Sequence, residues 1–190
     1  MKKLFLFLLA TGLSVATFAQ TKWSTDPMHS FVNFAVKHSG ISFVDGSFKK
    51  FNGEFTAAKA DLTDANISFT VDVASINTSV DMRDNHLKSA DFFDAAKYPT
   101  MTFESTSLKK SKGNTYVLKG NLTIKDVTKP VTFAVVYGGT VKDQQGNNKM
   151  GFLATTTINR LDYNVSYDPT GAGIAKNVNI TLNLQFAQAK

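Results

Sequence analysis

The chain has 190 residues, 43% of them hydrophobic, with a formal charge of +6 and no cysteine. The missing thiols exclude disulfides, iron–sulfur clusters, thiolate zinc sites and cysteine nucleophiles, so stability must come from packing. The positive excess lies in short scattered groups such as Lys49-Lys50 and Lys109-Lys110-Lys112, which suits solvated strand edges and turns rather than a nucleic-acid surface and is compatible with transient membrane contact.

The first element is a leader. Lys2 and Lys3 form a positive head, Leu4 to Ala10 an apolar run, and Thr17 and Ala19 supply small residues before a cleavage point. Cleavage is expected after Ala19, so residues 1–19 read as a signal peptide and 20–190 as one exported domain. The apolar run is shorter than the ~20 residues a membrane-spanning helix needs. The remaining chain is long enough for one domain with a real core or cavity.

Strands follow, each alternating apolar and polar residues. Val32, Phe34 and Val36 share one face, and Ala65, Ile67, Phe69, Val71 and Val73 share the next. Tyr116, Leu118, Gly120, Leu122 and Ile124 form a third set, and Val131, Phe133, Val135 and Tyr137 a fourth. Phe152, Ala154, Thr156 and Ile158 make a fifth. The last run is the cleanest, with Val178, Ile180, Leu182, Leu184 and Phe186 opposed by polar residues. Turn signals stand at Asp45-Gly46, Asn52-Gly53, Lys112-Gly113-Asn114 and Gln145-Gly146-Asn147-Asn148. About eight strands, each apolar on one face, predict an all-β antiparallel fold. A sandwich and a closed barrel both fit, and long strands without disulfides favour a barrel, which also removes exposed edges.

One stretch breaks the alternation. Between Asp84 and Ala96, Leu87, Ala90, Phe92-Phe93 and Ala96 recur at three- and four-residue spacing, predicting a short helical insert with Asp84 as N-cap.

Chemical motifs are sparse. His29, His38 and His86 are the only histidines, and they lack the H-x-H or H-E-x-x-H spacing of a metal site. The serines have no G-x-S-x-G elbow. Asp81, Arg83, Asp84 and His86 cluster, but beside a helix start such groups serve as caps and ion pairs, and no catalytic residue is assigned. Gly171 to Lys176, "GAGIAK", is a weak anion-nest candidate. The apolar inventory says more: 16 phenylalanines against one tryptophan. Inward-facing phenylalanine and aliphatic residues fill a core or line an apolar tunnel, and periodicity fits both.

Five blocks together resemble the YceI family: Trp23 to His38, Gly46 to Phe55, Met82 to Thr106, Gly120 to Phe133 and Ile158 to Val165. The block "RDNHLKSADFFDAAKYP" is the most specific. One departure falls at Asp162-Tyr163-Asn164, where the family usually carries a phenylalanine-glycine-like turn. The resemblance implies an exported, periplasmic protein with a lipocalin-like antiparallel barrel of about eight strands, hollow, and holding a polyisoprenoid or other long-chain lipid. It makes the insert a lid and corner piece. The implied cavity wall comprises Val32, Phe34 and Val36, then Ile67, Phe69 and Val71, then Phe92, Phe93 and Phe103. Leu122, Phe133, Phe152, Ile158, Ile180 and Leu182 complete it, with His38, Arg83, His86 and Arg160 as polar groups at the mouth. The lipid is the expected partner, as monomer or dimer, with no cofactor, metal or nucleic acid. Two alternatives stay open: an enzyme or redox accessory acting on an isoprenoid quinone or lipid, and a histidine-based metal-binding protein.

Overall fold

Alternating sequence becomes eleven strand segments in the computed structural model, which describes residues 20–189. The expected leader lies outside the described residues. The segments are β1 (Thr21–Thr25), β2 (Phe31–His38), β3 (Ser42–Phe48), β4 (Phe51–Ala57), β5 (Asn66–Asp72) and β6 (Ile76–Asn77). After the helix α1 (Asp81–Lys88) come β7 (Thr100–Lys110), β8 (Thr115–Ile124), β9 (Val127–Lys142), β10 (Asn148–Asn159) and β11 (Ile174–Gln188).

All pairings are antiparallel, and β11 returns to β1, closing the sheet into a barrel. Three pairs of segments run end to end. β1 and β2 lie in succession along β11, β4 and β3 in succession along them, and β5 and β6 along those. Merging each pair leaves the eight staves the alternation implied. Closure leaves an inner face lined by every second residue.

The connections sort by end. At one end lie the β2–β3 hairpin, the segment from β6 to β7 that carries α1, the β8–β9 turn, and the β10–β11 connection with its 3-10 turn, Arg160–Tyr163. At the other lie the start of β1, the end of β11 and the β4–β5, β7–β8 and β9–β10 loops. There Trp23 stacks on Phe55 at 5.7 Å between ring centroids, and Phe55 meets Phe186 edge-on at 5.0 Å. This aromatic group plugs the terminal end.

Two expected turns are not turns. Asp45-Gly46 lies inside β3, and Asn52-Gly53 lies inside β4. Each glycine faces a phenylalanine across the ladder, Gly46 opposite Phe34 and Gly53 opposite Phe69. A Cβ at Gly46 would lie 2.2 Å from the Phe34 ring, and one at Gly53 2.3 Å from the Phe69 ring. Gly120 repeats the device beneath Phe103, at 2.3 Å. Absence of a side chain lets each ring lie flat on the wall. The other two signals, at Gly113 and Gly146, are turns with left-handed glycine backbone.

The insert also differs in extent. α1 begins at Asp81, with Val80 at the cap position and no capping side chain, and it ends at Lys88. Turn bonds such as Phe92 N–H to Ser89 O and Lys97 N–H to Asp94 O carry the chain on. Asp84 is therefore not the cap. It is buried inside the helix and accepts from the Thr78 N–H at 2.8 Å and from the Thr78 hydroxyl, fixing the chain that enters the helix.

Candidate functional site

The inward faces enclose a cavity of about 220 Å³. Every strand except the short β1 and β6 contributes to its wall, and Asn33, Thr102 and Arg160 are the only polar residues among those lining it. Each of the fifteen apolar residues expected from the sequence lies on this wall. The same alternation extends to Phe48, Phe55, Val178, Leu184 and Phe186, which the sequence reading left out of its site. Leu62 and Leu87 also line it, from a loop and from α1, where no strand periodicity marks them. An apolar void of ~150 Å³ already stays dry and takes an aromatic guest. No histidine, carboxylate, lysine or tyrosine lies among the lining residues.

The four polar residues expected at a mouth do not converge. Arg160 alone reaches the cavity wall, and its donors are spent on main-chain carbonyls. Nε donates to Ala175 O at 3.0 Å, Nη1 to Val165 O at 2.8 Å and to Tyr167 O, and Nη2 to Asp168 O at 2.7 Å and Ile174 O at 2.8 Å. Burial pushes the guanidinium pKa down, while the Asp168 charge partly offsets this. Five donors in a rigid fork are what such a loop anchor requires, so Arg160 holds the β10–β11 connection.

Arg83 works likewise in the connection from β6 to β7. Its Nε donates to the Thr78 hydroxyl oxygen and its Nη2 to Thr78 O, both at 2.8 Å. Arg83 is thus linked through Thr78 to Asp84, and it does not line the cavity. His86 Nε2 lies 2.9 Å from Asp91 Oδ2, and its ring packs edge-on against Phe92 and Tyr167, each at 5.0 Å. Phe92 faces the cavity on one side and this exposed pair on the other. The β6–β7 and β10–β11 connections therefore meet at an aromatic seam. His38 sits at the exposed end of β2, with Nδ1 3.3 Å from the Ser39 hydroxyl. Among the described residues no three histidine, aspartate or glutamate side chains form a metal-ligating group. His29 pairs separately with Asp26 at 3.1 Å.

The glycine-rich nest holds an anion from its own chain. Gly171, Gly173 and Ile174 N–H groups all donate to the Asp168 carboxylate, as does the Thr170 hydroxyl. These bonds hold its pKa far below the usual carboxylate range.

The family model of the YceI-like domain matches residues 23–186, nearly the whole described barrel. The chain belongs to the YceI family. A UPF0312 protein of Pseudomonas putida strain W619 is 40% identical over 158 residues, covering 83% of this chain and 81% of its own. Protein YceI of Salmonella arizonae is 37% identical over 183 residues, covering 96% and 93%. Among solved structures, Burkholderia cenocepacia BcnA superposes with a TM-score of 0.77 at 28% identity, covering 85% of this chain and 98% of that one. A polyisoprenoid binding domain from Saccharophagus degradans superposes with a TM-score of 0.67 at 16% identity, covering 88% and 98%. At the expected departure, Asp162-Tyr163-Asn164, this YceI chain buries Tyr163 and gives the left-handed backbone to Asn164, with φ of 58°. Asparagine is among the few residues that adopt that conformation readily.

Proposed function

We propose that the protein is an exported periplasmic carrier that holds a polyisoprenoid or other long-chain lipid in the barrel lumen, without turnover. The observation that carries this reading is the apolar lumen, lined on all sides by phenylalanine and aliphatic side chains. A chain entering it leaves water at roughly 0.8 kcal/mol per CH₂, or about 4 kcal/mol per five-carbon isoprene unit. No hydrogen bond is asked of such a chain, and the wall supplies almost none. The Saccharophagus domain, described as polyisoprenoid binding, supports the ligand class. The one ionisable residue on the wall, Arg160, has its donors committed to main-chain carbonyls, which supports binding over catalysis. The leader pattern supports export.

The test is organic extraction of protein purified from exporting cells, followed by mass spectrometry. A long-chain lipid at near-stoichiometric amount is expected. Repeated recovery of folded, lipid-free protein that also fails to take up added isoprenoid overturns the reading.

A further inference from the structure

The barrel wall has a thin place. β3 pairs with β2 along its whole length, but on its other side β6 covers only Ser47 and Phe48. Ser42 to Gly46 have no strand partner there among the described residues. Against this edge lies an open groove of about 390 Å³, lined by Asn33, Asp45, Ser47, Lys49 and Asn77 to Ser79. Gly46 and Phe34 line it too, and both Asn33 and Phe34 also line the lumen. Phe34 is therefore the partition between the two spaces. Its ring covers the spot where Gly46 lacks a side chain, at the 2.2 Å approach described above. A ring held only by contact can turn aside, whereas a hydrogen-bonded ladder cannot.

Resting on the carrier reading, we infer that the lumen opens sideways at Gly46, with Phe34 as its shutter, and that the groove seats the uncharged polar head of the bound lipid. The groove's chemistry selects the head. Lys49 and Asp45 offset each other in charge, and the rest are amides and hydroxyls. A hydroxyl or carbonyl head is matched there by donors and acceptors, while a diphosphate meets a carboxylate and a single cation. Exposed apolar side chains follow or precede the groove residues in the chain: Phe43 and Ile41 on the hairpin are 56% and 89% exposed, and Val80 and Met82 just after Ser79 are 45% and 83%. The end seam formed by His86, Phe92 and Tyr167 is closed by aromatic contact, so it is the competing exit.

Because the chain has no cysteine, introduced pairs can be bridged selectively. One variant carries Asp45→Cys with Ser79→Cys, across the groove, and another His86→Cys with Tyr167→Cys, across the end seam. Each is loaded with all-trans-retinol, a fluorescent isoprenoid alcohol, and then bridged with a short disulfide-containing crosslinker. Transfer of retinol to phosphatidylcholine vesicles is timed before and after reduction. The groove bridge is expected to slow transfer at least tenfold, with full recovery on reduction, while the seam bridge changes it less than twofold. Slowing by the seam bridge alone, or by neither, overturns the side exit. For the head, Asn33→Ala with Ser47→Ala should weaken retinol about fivefold and leave diphenylhexatriene, which has no polar head, unchanged. Equal loss for both probes, or none for either, overturns the head assignment. Failure of the unbridged protein to bind either probe overturns the carrier reading itself, which separates that outcome from the others.

Discussion

Replacing Arg160 by methionine tests whether one side chain holds the β10–β11 lid. Methionine keeps the apolar stem and removes every donor. Five main-chain carbonyls lose their partner, of which Val165 O is fully buried and the other four are partly buried. A buried acceptor left unsatisfied costs about 1–3 kcal/mol, and partly exposed ones recover some of that from water. Taking about 2 for Val165 and about 0.5–1 for each of the others gives roughly 4–6 kcal/mol. Release from burying a cation, which already lowers the Arg160 pKa, returns part of this. A net loss of about 3–4 kcal/mol is expected, which is a large share of the ~5–15 kcal/mol that holds a domain together. Arg160→Lys has three donors on a point charge and should recover less than half. Urea unfolding followed by tryptophan fluorescence at Trp23 gives the global value, and hydrogen exchange of Gly171, Gly173 and Ile174 gives the local one. A loss below 1 kcal/mol with unchanged exchange would show that the carbonyls find other partners and that the anchor argument is wrong.

Other outcomes follow from the same contacts. Asp26 sits with its side chain 13% exposed; burial raises its pKa, but bonds from His29, Lys149 and Met28 outweigh this and hold it at about 2 against an ordinary 3.8. A depressed carboxyl contributes stability that is complete above the unfolded value and is lost as pH falls through the folded one. Its share, roughly 2 kcal/mol, should therefore fade between about pH 4 and pH 2, and Asp26→Asn should remove that difference from the acid-unfolding curve. Ala154, buried on the lumen wall, offers a way to fill the cavity: Ala154→Phe should fold, with stability within about 2 kcal/mol, and lower retinol loading at least tenfold by titration. Gly53→Val should cost about 1–3 kcal/mol in urea melts, because its Cβ would strike the Phe69 ring and the Thr25 methyl, at 2.3 and 2.9 Å.

Strand periodicity was legible because inward residues are mostly apolar and outward ones mostly polar, and it placed twelve of the fifteen wall residues on shared faces, while the resemblance rather than periodicity implied a hollow barrel. What it misread were glycines. Asp-Gly and Asn-Gly are strong hairpin signals when judged locally, yet Gly46 and Gly53 answer to phenylalanines on neighbouring strands, which no local rule sees. Polar residues were harder for the opposite reason. Arg160 and Arg83 are charged residues near an apolar site, and sequence offers no way to count the carbonyls around them. Main-chain and side-chain oxygens of the loops themselves claim their donors. The helical insert shifted because spacing of Leu87, Ala90 and Phe92-Phe93 suits a helix, while turns after Lys88 bring both rings to the lumen.

Ring closure in this barrel depends on its final segment. β11 alone pairs with β10 on one flank and with both β2 and β1 on the other. Synthesis delivers Ile174–Gln188 after every other strand among the described residues, so until those fifteen residues emerge the other strands can form only an open sheet with an apolar inner face. That apolar face is sealed from water only when the last strand docks. A chain cut short after Asp168 would be left with two bare edges and an open apolar trough.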